Sequence, residues 1–107
     1  MLILPIKKKW YDMLLSGEKK EEYREMSPYY RARFMNAGLL DQFGLEEEKV
    51  VELFKFQNGY SKSSAYFIAK CSLSIKTGNP EWGAEPGKEY YVLKIIEIVE
   101  VVNSGVD

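Results

Sequence analysis

Between positions 65 and 76 the side chains alternate in polarity with little interruption. Ala65, Phe67, Ala69, Cys71, Leu73 and Ile75 are interleaved with Tyr66, Lys70, Ser72, Ser74 and Lys76. A period of two puts the first set on one face of a pleated strand and the second on the other. The segment therefore reads as a long strand buried on one side. Residues 50–57 form an apolar strand ahead of it, and Asn58 with Gly59 is a hairpin-turn pair. A loop rich in glycine and proline follows at 77–88. Glu89–Val102 is then apolar on both faces, which fits a central strand that bends or bulges.

The first third of the chain mixes periods. Leu2–Ile6 is a short apolar strand with Pro5 near its end. From Lys7 the spacing becomes helical: Trp10, Met13 and Leu14 share one stripe, Tyr11 and Leu15 flank it, and Asp12 and Ser16 face away. Gly17 stands where a helix ends in the left-handed region. The next stretch, SGEKKEEYRE, favours helix by propensity. As a helix it would bring together Glu18/Glu22, Lys20/Arg24 and Glu21/Glu25. All three pairs are like-charged, each costing roughly 0.2–0.5 kcal/mol. As a strand, one face reads Glu18, Lys20, Glu22, Arg24 and alternates in sign. The strand is the better reading, with Glu22 and Arg24 on one face and Glu21 and Tyr23 on the other. Ser27 and Pro28 then read as an N-cap and a first helical residue. That helix runs through Tyr30 and Phe34 and stops near Gly38, with Arg31 and Arg33 projecting elsewhere. Residues 39–49 read as a loop with a fragment of helix. Early short helices followed by several strands predict an α+β domain whose antiparallel sheet curls into a small barrel.

At 107 residues the chain suffices for one domain, 1–107, with one core. No apolar run is long enough for a membrane span, and the single cysteine, Cys71, fits a reducing, cytoplasmic setting. There is no histidine, which removes Ser–His and Cys–His nucleophile pairs and the usual zinc sites. Neither metal nor cofactor is expected. The net charge of −1 does not suit non-specific binding of duplex DNA. Its distribution is uneven: residues 1–38 carry 8 − 5 = +3, and the remainder 7 − 11 = −4. A local positive surface on an acidic protein is therefore available.

The segment LPIKKKWYDMLLSGEKKEEYRE resembles the N-terminal signature of the ASCH domain (activating signal cointegrator homology), a branch of the PUA-like superfamily. Its pattern is a strand ending in lysine, a short helix, a Gly-x-Lys segment and an arginine on the next strand; here these are Lys7, Gly17, Lys19 and Arg24. FQNGYSKSS and GNPEWGAEPGKEYYVLKI are similar to later segments of short single-domain members. The resemblance implies a PUA-like barrel flanked by short helices, with a cleft lined by the Gly-x-Lys strand. It also implies binding of RNA or other nucleic acid. Some bacterial members hydrolyse N4-acetylcytidine with a lysine, a threonine three residues later and a loop glutamate. Lys19 matches the lysine, but Glu22 occupies the threonine position, and Glu81 or Glu85, preferably Glu85, stands for the loop glutamate.

Three functions follow. In the first, the cleft binds a nucleotide, nucleoside or short single-stranded RNA. Lys7, Lys19 and Arg24 then supply positive charge, Glu22 discriminates polar groups, and Trp82 or Tyr60 stacks on a base. Arg31, among interleaved tyrosines and arginines, and Asn58, in a polar serine-rich turn, extend the surface. In the second, the protein hydrolyses an amide or RNA phosphodiester with Glu22 as general base, Lys19 as oxyanion partner and Glu85 assisting. In the third, Lys19, Glu22 and Arg24 are an ion-pair network closing the cleft of a structural or protein-interaction domain. Trp82 as a cap on the core and Asn58-Gly59-Tyr60 as a plain turn belong to that third reading.

Overall fold

The computed structural model describes residues 1–47 and 50–103. In chain order the elements are β1 (Leu2–Ile6), α1 (Lys8–Ser16), β2 (Glu21–Arg24), α2 (Pro28–Asn36), β3 (Glu52–Asn58), β4 (Tyr66–Thr77) and β5 (Glu89–Val102). A single 3-10 turn, Pro80–Trp82, interrupts the loop before β5. The strands form one five-stranded sheet in the order β1-β3-β4-β5-β2.

Local chemistry explains the helix ends. Gly17 ends α1 at φ 85°, its N–H donating to the Leu14 carbonyl. Ser27 caps α2 by accepting from the Tyr30 N–H at 3.2 Å, with Pro28 in the first turn. Residues 39–47 contain no helix; Leu39 and Leu40 are buried there, and Leu40 bridges Glu46. The last two residues of the 39–49 segment, Glu48 and Lys49, lie outside the described residues.

The sheet departs from an all-antiparallel barrel in two ways. β1 pairs with β3 in parallel, Leu2 opposite Phe54 through Ile6 opposite Asn58, whereas the other three pairings are antiparallel. A parallel return needs a long crossover, and the segment from α1 to α2 provides it. The sheet is also not closed: β1 and β2 stand at its two edges without pairing. Pro5 has no N–H to offer a facing strand. The gap is crossed instead by a side chain, Arg24 Nη2 donating to the Pro5 carbonyl at 3.0 Å. β5 bulges against β4, where the register passes over Val99 and then Ile96.

The core is aromatic. Phe34, Phe54, Phe56 and Phe67 are fully buried. Phe34 meets Tyr91 edge-on at 5.3 Å and lies 5.8 Å from Tyr30, so α2 is pinned to the sheet by one ring. Tyr11 against Phe67, at 5.3 Å, docks α1. Cys71 belongs to this core, and burial pushes its thiol up to about 12, which fits a packing role rather than a nucleophile. Phe34→Ala is expected to cost about 3–5 kcal/mol in urea unfolding, because it removes a ring that three aromatic neighbours cannot refill. A loss below about 1 kcal/mol would contradict the packing described.

Candidate functional site

β2 alternates as its charges require: Glu22 is buried and Arg24 nearly so, while Glu21 and Tyr23 take the other face and hydrogen-bond each other at 2.9 Å. Lys19 precedes the strand, so strand alternation does not govern it. Its N–H donates to the Met13 carbonyl at 2.9 Å, and this turn aims its side chain at the same place as Glu22. The result is a buried triangle. Lys19 Nζ is 3.2 Å from Glu22 Oε1, and Arg24 Nη2 is 2.8 Å from Glu22 Oε2. Arg24 Nη1 donates to the Tyr30 hydroxyl at 2.9 Å, and Arg24 Nη2 also reaches Pro5 across the sheet gap. Arg24 Nε is buried and has no partner among the described residues.

Lys19 is only 2% exposed. It donates to the Trp82 carbonyl and lies 4.5 Å from the Trp10 ring and 5.0 Å from the Tyr23 ring. Burial pulls its ammonium below the ordinary lysine value, and Glu22 opposes that pull. Burial also acts to lower the Arg24 guanidinium, but Glu22 and Tyr30 outweigh it and leave it raised.

Beside the triangle a cleft of about 210 Å³ opens, lined by Pro5, Ile6, Lys7, Trp10, Glu22, Arg24 and Tyr60. It lies at the seam between the two sheet edges. The seam brings the end of β1, the first turn of α1 and the β2 face together with the β3–β4 loop. That loop is anchored beside the cleft by the Gly59 N–H donating to the Ile6 carbonyl at 2.9 Å. Tyr60, next to it, is 88% exposed.

The candidate residues thus separate. Lys7, Glu22, Arg24 and Tyr60 share the cleft, whereas Lys19 is enclosed behind it. Trp82 is half-buried and supplies a backbone carbonyl to Lys19; its side chain does not line the cleft. Glu85 is exposed, its N–H donates to the Tyr90 hydroxyl at 3.0 Å, and neither it nor Glu81 takes part in the ion pairs. Arg31 packs against Gly44, where a β-carbon would meet its guanidinium at 2.5 Å. Asn58 ends β3 and ties the loop closed through its N–H to the Ala65 carbonyl at 2.9 Å. Trp10 reads from the sequence as a helix-face residue and Tyr30 as core or as part of an interleaved tyrosine–arginine surface, yet Trp10 lines the cleft and Tyr30 holds Arg24. The one available signal was Trp10 standing in the first turn after Lys7.

Chemically, the arrangement offers a fixed carboxylate, a guanidinium, a rim lysine and an exposed ring. Lys19 is already committed to Glu22 and Trp82, so it presents no free ammonium to a developing oxyanion. Among the described residues no group of histidine, cysteine, aspartate or glutamate could hold a metal ion, and no helix is long and apolar enough to cross a membrane. No protein-family model, curated protein or solved structure matches the chain.

The triangle sets a pH test. Lys19 loses its proton at lower pH in the folded protein than in the unfolded chain, so the unfolded state binds more protons in that window and stability rises with pH through it. Glu22→Gln removes the attraction that holds the folded value up. It is expected to cost roughly 3–5 kcal/mol at neutral pH, since it strands buried charge. In urea unfolding the deficit against wild type should shrink as pH rises from neutral towards the ordinary lysine value, because Lys19 is neutralised earlier in the variant. A deficit independent of pH would show that Lys19 does not depend on Glu22.

Proposed function

We propose that the seam cleft binds a nucleotide or a short single-stranded RNA, and that the chain is an ASCH-like, PUA-like domain of the cytoplasm. The supporting observation is that Glu22 and Arg24, held rigid by ion pairing, line one cleft with Lys7 and the exposed ring of Tyr60. Glu22 Oε2 carries only the Arg24 contact, so it can accept from the exocyclic amine of cytosine or adenine. Arg24 and Lys7 face phosphate or carbonyl oxygens. Tyr60 stacks on the base, in place of Trp82. Lys19 acts as a positioning residue, fixing the Glu22 carboxylate from behind. In this reading the curled sheet is barrel-like, and its open seam is where the ligand enters.

A binding module fits the contacts better than a hydrolase. General-base work by Glu22 with Lys19 as oxyanion donor would require Lys19 to leave Trp82 and turn towards the cleft. Tyr60→Ala tests the binding reading without disturbing the core. It should weaken binding of cytidine or adenosine ligands by about 1–3 kcal/mol, or roughly tenfold per 1.4 kcal/mol, with unchanged melting temperature. A flat calorimetric titration of wild-type protein with nucleosides, nucleotides and short RNA at low salt would remove it.

A further inference from the structure

We infer that the occupant of this cleft is a single nucleoside monophosphate rather than a run of RNA, an inference that rests on the nucleotide-binding reading and narrows it. Size is the first reason. At about 210 Å³ the cleft lies below the roughly 300–1,000 Å³ typical of pockets that enclose drug-sized ligands, so it has no room for a second nucleotide beside a first.

Shape is the second. Arg24 crosses from β2 to the Pro5 carbonyl on β1, and both residues line the cleft. The seam is therefore barred by a side chain, and a strand cannot thread along it.

Charge is the third. The cleft and the triangle behind it hold Lys7, Lys19 and Arg24 against Glu22, or 3 − 1 = +2. A terminal phosphate carries about −1.5 to −2 at neutral pH, whereas each phosphodiester carries one charge. Away from the cleft three cations are already neutralised. Lys8 pairs with Asp12 at 2.6 Å, Lys76 with Glu21 at 2.8 Å and Lys88 with Glu25 at 2.8 Å. Nearer the cleft, Lys9 lies 4.6 Å over the Trp10 ring and makes no ion pair among the described residues. Lys7, at the rim, is exposed, and among the described residues it makes no ion pair. It also stands at the start of α1, whose first turn holds no acidic side chain. The phosphate thus lies at Lys7, with the base inward against Glu22 and beside Tyr60.

The test titrates the full chain with cytidine 5′-monophosphate, cytidine and an oligocytidylate of about eight nucleotides lacking terminal phosphates, over a range of salt. The monophosphate should bind roughly tenfold more tightly than the nucleoside. It should also bind at least as tightly as the oligomer, with a salt slope of about one phosphate. Lys7→Ala should lower the ratio of monophosphate to nucleoside affinity. Affinity that rises with oligomer length, a slope of several phosphates, or equal binding of nucleoside and monophosphate would overturn the inference while leaving nucleotide binding in place. Binding of none of the three, nor of their adenine counterparts, would overturn both.

Discussion

One carboxylate shared by two buried cations organises this protein. Glu22 draws Lys19 from the turn after α1 and Arg24 from the end of β2 to a single point. Removing three charges from water costs several kcal/mol for each ion. The cost is offset only because nearly every donor finds a partner: Trp82 and Pro5 offer carbonyls, Tyr30 a hydroxyl, and Trp10 and Tyr23 their ring faces. These partners come from elements far apart in sequence. The triangle therefore acts as a clasp for parts of the fold that share no backbone ladder, above all the two sheet edges.

The clasp also explains why there is a cleft. Had β1 and β2 zipped together, the seam would be filled with backbone hydrogen bonds. Pro5 prevents this at one edge, and a single guanidinium spans the gap. A side chain bridging two strands leaves room beside it, and that room inherits the charges that made the bridge. The polar groups in the cleft are there because the fold needs them, and they are rigid for the same reason. Rigid, desolvated donors and acceptors are what selective recognition of a polar ligand uses. Arg24 Nε is buried and, among the described residues, has no partner.

Much of the scaffold was legible from side-chain order. Alternation at 65–76 marks β4, and the like-charged spacings after Gly17 argue against helix where β2 forms. Ser27 and Pro28 mark the start of α2. The parallel pairing of β1 with β3 was not legible, because it joins residues some fifty positions apart and leaves no local period. No helix forms at 39–47 because the segment folds back on itself: the Glu47 N–H donates to the Leu39 carbonyl, Leu40 bridges Glu46, and Asp41 Oδ1 accepts from the Phe43 and Leu45 N–H groups. The site divides along the same line. Glu22 and Arg24 were readable as charges on one strand face. The role of Trp82 was not, since it acts through its backbone carbonyl, and no side-chain pattern reports a carbonyl. Trp10 shows the related limit: its helical stripe predicts burial but not that its ring borders a cation and a cleft.

The claim underlying all of this is that the clasp and the ligand cleft are one structure. Nuclear magnetic resonance of the Glu22 carboxyl carbon and the Arg24 Nε during titration with cytidine 5′-monophosphate tests it directly. The account predicts that both signals move saturably with a common midpoint, because the ligand touches the carboxylate and the guanidinium together. Movement confined to surface residues, with Glu22 and Arg24 silent at saturation, would contradict it.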